Sequence, residues 1–157
     1  MQKIVPFLWF ENQAEEAAEF YRSVFRKGKM RRTTRYGREG PGPEGEVMAA
    51  AFRVAGQDFV ALNGSPGIPF SQAVSFAVNC RNQKEIDWYW ERLSDGGEQQ
   101  RCGWLKDRFG VSWQVVPSDL ARMLGDPDPE KAGRVMKTML PMGKLDIGEL
   151  RRAYKGK

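Results

Sequence analysis

The sequence predicts an α+β fold of two consecutive βαβββ modules followed by a helical extension. Three observations carry that reading. Short runs rich in β-branched and aromatic residues flank two amphipathic helical stretches, so one helix is available to cover one face of each set of strands. The stripe Ile86, Tyr89, Trp90, Leu93 repeats Ala17, Phe20, Tyr21, Val24 at an offset of 69 residues, which marks the halves as internal copies. After Pro117 the pattern changes to three successive helix starts.

Taken in order, Ile4 to Phe10 reads as a buried strand. Asn12 and Glu15 then have the spacing of a capping box, and Ala14, Ala17, Ala18, Tyr21, Val24 and Phe25 form one apolar stripe that ends before Gly28. Met30 to Tyr36 is a candidate strand. The loop from Gly37 to Gly45 spells Gly40-x-Gly42-x-x-Gly45, but Pro41 and Pro43 remove N–H groups that a phosphate would need, and strand follows rather than helix, so it reads as a mobile loop. Val47 to Val54 and Asp58 to Leu62 form a hairpin that closes module 1 (about 1–64). Module 2 (about 73–117) repeats the plan, with a strand from Ala73 to Val78, an Asn82–Glu85 cap, a helix ended by Gly96-Gly97, and short strands at 98–101 and 103–106. In the extension, 118–157, Ser118, Asp128-Pro129 and Asp146 are helix starts. The stripe Ala132, Val135, Met136, Met139, Leu140 packs either on its own domain or on a partner subunit.

The last strand of module 2 belongs to a hairpin turning at Asp107-Arg-Phe-Gly110. Along it Val111, Trp113 and Val115 share one face, and Ser112, Gln114 and Val116 share the other, which leaves Gln114 as an amide in need of a partner or a ligand. Pro6-Phe-Leu-Trp-Phe10, Ala61-Leu-Asn-Gly64, Cys102-Gly-Trp-Leu-Lys-Asp107 and Gly110-Val-Ser-Trp-Gln-Val-Val-Pro117 together resemble the PhnB-like group labelled 3-demethylubiquinone-9 3-methyltransferase. That group is a branch of the vicinal-oxygen-chelate superfamily of glyoxalases, bleomycin-resistance proteins and extradiol dioxygenases. The resemblance spans nearly the whole chain and implies a cupped mixed sheet around a cavity and a homodimer. It also maps the superfamily's four metal-ligand positions onto Val5, either Val60 or Ala61, Ala73 and Gln114.

Composition narrows the chemistry. With no histidine, and with one neutral amide among the mapped positions, a transition-metal site is not expected. The step from Phe10 into the first helix contains no glycine, so no nucleotide cradle supports a methyl donor, and no cofactor is expected. Lys and Arg number 25 against 20 Asp and Glu, with the excess at Arg26, Lys27, Lys29, Arg31, Arg32, Arg35 and Arg38. Only Tyr36 is there to stack on a base, so the run reads as a charged edge strand rather than a nucleic-acid surface. Cys80 and Cys102 do not make a disulfide scaffold, and they read as packed thiols. No apolar run is long enough for a membrane span. A soluble cytoplasmic protein is expected.

Trp9, Phe59, Phe76, Trp104 and Trp113 supply aromatic walls, and Asn63, Ser75 and Gln114 supply orienting polar groups, for a largely apolar small-molecule pocket. The same aromatics serve equally well as core. The function expected is metal-free binding of a small molecule. The alternative is an enzyme on the same scaffold, including the methyltransferase named by the family label, that uses either a bound cofactor or Lys106, Asp107 and Gln114 as polar groups around a substrate.

Overall fold

A computed structural model describes residues 2–157. The chain divides into two compact units, Met1–Pro69 and Phe70–Lys157. The first contains β1 (Phe7–Phe10), α1 (Ala14–Val24), β2 (Lys29–Arg35), β3 (Val47–Val54) and β4 (Gln57–Asn63). The second contains β5 (Ser75–Cys80), α2 (Gln83–Ser94), β6 (Glu98–Gln99), β7 (Trp104–Lys106), β8 (Ser112–Pro117) and three helices, α3 (Leu120–Leu124), α4 (Pro129–Met139) and α5 (Ile147–Lys155).

The two units share one topology. Sheet order is β1-β4-β3-β2 in the first and β5-β8-β7-β6 in the second; the opening strand pairs parallel with the closing strand, and the remaining pairs are antiparallel. This is the tandem βαβββ, α+β arrangement that the repeat predicted.

In unit 1 the helix stripe is buried as expected, and Tyr21 stacks on Phe52, which stacks in turn on Phe59. Strand alternation therefore puts Leu8, Phe10, Phe52, Phe59 and Ala61 on the helix side. Phe7, Trp9, Val60 and Leu62 fall on the opposite face. The expected Asn12–Glu15 cap does not form. Gln13 occupies the N-cap position without a side-chain bond, and Asn63 Oδ1 accepts from Ala14 N at 2.9 Å instead. Two residues, Ala55 and Gly56, both with positive φ, join β3 to β4, the geometry of a tight hairpin. The exposed basic residues Lys29, Arg31 and Arg32 lie on β2, the outermost strand of its sheet, as edge protection requires.

In unit 2, Asn82 does cap α2, accepting from Glu85 N at 3.0 Å. Ile86, Trp90 and Leu93 are buried on the strand face that carries Leu105, Trp113 and Val115. Helix α3 starts one residue later than expected, with Asp119 rather than Ser118 at its N-cap, whereas Asp128 and Asp146 cap α4 and α5 as predicted. The extension is tied to its own module. Cys102 N and Gly103 N donate to the carbonyls of Met142 and Gly143, and the Gln83 amide bridges Leu145 O and Ile147 N. Lys144 Nζ lies 2.9 Å from Asp87, and its hydrogen bond, with that of Gln83, holds the Asp87 carboxyl below its ordinary range. Val135 and Met139 are buried, while Met136 (41% exposed) and Leu140 (53%) are left on the outside of the predicted stripe.

Candidate functional site

Unit 1 has a groove of about 790 Å³ at the end of the sheet where β1 and β4 finish. That volume falls within the range of small-molecule sites, about 300–1,000 Å³. Trp9, Tyr36, Val47, Met48 and Leu62 form its apolar lining, and the turn 41–45 and the segment 63–66 form its rim.

The two aromatic side chains are held by backbone. Trp9 Nε1 donates to Ser65 O at 3.0 Å, and its ring lies so close to Gly64 that any side chain there would have to displace it. Tyr36 Oη donates to Asn63 O at 2.7 Å, and Gly42 crosses the Tyr36 ring, where a Cβ would come within 2.3 Å of it. The loop after β2 is therefore seated on Tyr36. Its neck is closed by Tyr36 N donating to Glu46 O and Gly45 N to Tyr36 O, both at 2.9 Å, while Arg35 Nη1 donates to Gly45 O at 3.1 Å. Asn63 uses both ends of its amide, accepting from Ala14 N and donating to Val47 O at 3.0 Å, which fixes β4 against α1 and β3 at the groove wall.

Of the residues nominated from sequence, Trp9 and Asn63 line this groove. Phe59 does not; it is buried between the sheet and α1. Trp113 is likewise buried on the α2 side, 5.4 Å from Phe76 between ring centroids, and its Nε1 donates to Asp107 Oδ2 at 2.8 Å. Core packing claims Phe59 and Trp113, and the half-buried Phe76 stands on the same side as Trp113, because the strand register turns them toward the helices. Ser75, Trp104 and Gln114 share the face of the second sheet away from α2, where Gln114 Nε2 donates to Ser75 Oγ at 2.9 Å. The neighbouring Ser112 Oγ is buried without a hydrogen-bond partner.

Tyr36, Glu11, Glu15, Arg35 and Glu46 were not nominated, and all line the groove. The available signal was a Gly- and Pro-rich loop directly after an aromatic strand end. Asp107 proves to be a turn organiser, with Oδ1 accepting from Phe109 N and Val111 N in addition to the Trp113 bond. Of the two alternatives for the second mapped position, Val60 stands opposite Phe7 on the face away from α1, whereas Ala61 is in the core. Among the described residues no group of three His, Cys, Asp or Glu side chains is placed to hold a metal ion.

A family model described as 3-demethylubiquinone-9 3-methyltransferase matches residues 2–116. The solved structure of a PhnB protein from Bacillus cereus, described as a 3-demethylubiquinone-9 3-methyltransferase, is 37% identical with a TM-score of 0.68; the match covers 74% of this chain and 99% of that one. A protein from Pseudomonas aeruginosa is 25% identical with a TM-score of 0.60, over 73% of this chain and 96% of that one. The fosfomycin resistance protein FosX from Listeria monocytogenes is 14% identical with a TM-score of 0.58, over 77% and 94%, and shares the fold. No curated protein matches the chain.

Proposed function

Because this chain belongs to the family described as 3-demethylubiquinone-9 3-methyltransferase, on a fold of the glyoxalase/bleomycin-resistance type, we propose that it is a small-molecule-binding protein whose ligand occupies the groove of unit 1. The observation that supports this is the seating of Trp9 and Tyr36: both rings are fixed by backbone at the margin of a cavity of ligand size. Preorganised aromatic walls lower the ordering cost of binding.

The residues present do not suit the superfamily's metal. Val5, Val60 or Ala61, and Ala73 have no side-chain donor atoms, which leaves the neutral Gln114 amide oxygen as one ligand where several are needed. Nor do they suit a methyl donor held by the usual turn. Glu11-Asn12-Gln13 offers no glycine, and the first helical amide, Ala14 N, is taken by Asn63. No step through either group is derived.

We further propose a homodimer in the cytoplasm. The apolar side chains Ile4 and Phe7, at and before the edge strand β1, and Met136 and Leu140 on α4 are exposed and available for burial between subunits. Free Cys80 and Cys102 suit a reducing compartment. Sedimentation at micromolar concentration should give about twice the 17.9 kDa chain mass; a monomer there rejects the dimer.

The function is tested by a thermal-shift screen of quinones, aromatic antibiotics, S-adenosylmethionine and divalent metals, repeated on Trp9→Ala. A ligand specific for the folded state raises the melting temperature. The proposal requires a shift that Trp9→Ala abolishes, and a shift of equal size in the variant rejects it.

A further inference from the structure

The groove is acidic inside a basic chain. Its charged lining consists of three carboxylates, Glu11, Glu15 and Glu46, and one guanidinium, Arg35, although the whole sequence has more basic than acidic residues. Arg35 donates to Gly45 O at the loop neck and keeps its positive charge, which the three carboxylates outnumber. The three glutamate side chains make no ion pair or hydrogen bond among the described residues. Glu15 has a local reason for its position, since it lies in the first turn of α1, where the helix dipole favours a carboxylate. Glu11, two residues before the α1 N-cap, shares that reason, whereas Glu46 lies outside any helix and has none.

We propose that the groove selects a cationic ligand, an ammonium or other onium group on an apolar body. This rests on the groove being the ligand site. The onium group is attracted to the exposed part of the Trp9 ring through its quadrupole and to Glu11, Glu15 and Glu46 through their charge, while Met48, Val47 and Leu62 receive the apolar part. An anion of the same shape is repelled by the same carboxylates.

Three probes of similar shape separate charge from shape: phenyltrimethylammonium, neutral 2-phenyl-2-propanol and anionic benzenesulfonate, titrated by ligand-observed NMR against the intact protein. The cation should bind more tightly than the neutral probe by about three- to tenfold at low salt, the margin should shrink at high salt, and the anion should bind least. Exchanging both Glu11→Gln and Glu46→Gln should remove most of that margin and leave the neutral probe unchanged, whereas Trp9→Ala should weaken both. If cation and neutral probe bind equally and both depend on Trp9, the groove stands as the site and the charge selection is overturned. If no probe binds, or if binding ignores Trp9→Ala, the site itself is rejected and this inference falls with it.

Discussion

Gly64 leaves no room for a side chain beside Trp9, because a Cβ built there would stand 2.1 Å from the indole Cζ2. Gly64→Ala should therefore swing the ring away and break its bond to Ser65. The loss of stability should be small, about 1 kcal/mol, because Trp9 is already 36% exposed and has space to move. Ligand affinity at the groove should fall by a larger factor than stability suggests. Urea unfolding beside a binding titration checks this, and unchanged affinity contradicts it.

Asp107 is buried and accepts three hydrogen bonds at the turn into β8. Asp107→Ala strands two backbone donors and the Trp113 indole N–H, at about 1–3 kcal/mol for each donor that water cannot reach. Chemical denaturation should show one of the largest losses obtainable from a single substitution in unit 2. A loss below about 1 kcal/mol would mean that water replaces the carboxylate.

Burial pushes the Cys80 thiol up to about 12, helped by the charge of Glu85. In the unfolded chain the thiol ionises near 9.0, so its contribution is fully present below that pH and is lost as pH rises toward 12. The decline should not exceed about 1.4 kcal/mol per pH unit from this group, and Cys80→Ala should flatten it. In native protein at pH 8 a thiol reagent should label the part-exposed Cys102 and leave Cys80 until unfolding. Rapid native labelling of Cys80 would refute its burial.

Gln114 faces away from α2 and is bonded to Ser75 rather than to backbone. Gln114→Leu should lower stability by about 0.5–1.5 kcal/mol through loss of that bond. It should leave probe binding at the groove of unit 1 unchanged, since Gln114 is not in its lining. Weaker probe binding in a stably folded variant would make Gln114 part of the site.

The modular fold was legible because period and repeat are local properties: Tyr21, Val24, Trp90 and Leu93 declare their buried faces through spacing alone. The cap of α1 was not, because Asn12 has the right chemistry in the right place, yet a residue distant in sequence, Asn63, takes the amide through the β1–β4 pairing. The groove was half legible for the same reason. Aromatic content nominated Trp9 together with Phe59 and Trp113, and strand register then sent the last two into the core. Tyr36 became visible as a wall only once the loop after β2 folded over its ring.

The parallel pairing of each opening strand with its closing strand also bears on how the protein is made. Strands β2, β3 and β4 are joined in sequence and can assemble from neighbouring contacts, but β1 has no sheet to join until β4 exists. During synthesis from the N-terminus, Phe7, Leu8, Trp9 and Phe10 therefore stay without a strand partner until β4 has emerged from the ribosome. Pulse-labelled hydrogen exchange during refolding should find the β3–β4 amides protected before the amides of β1 that pair with β4.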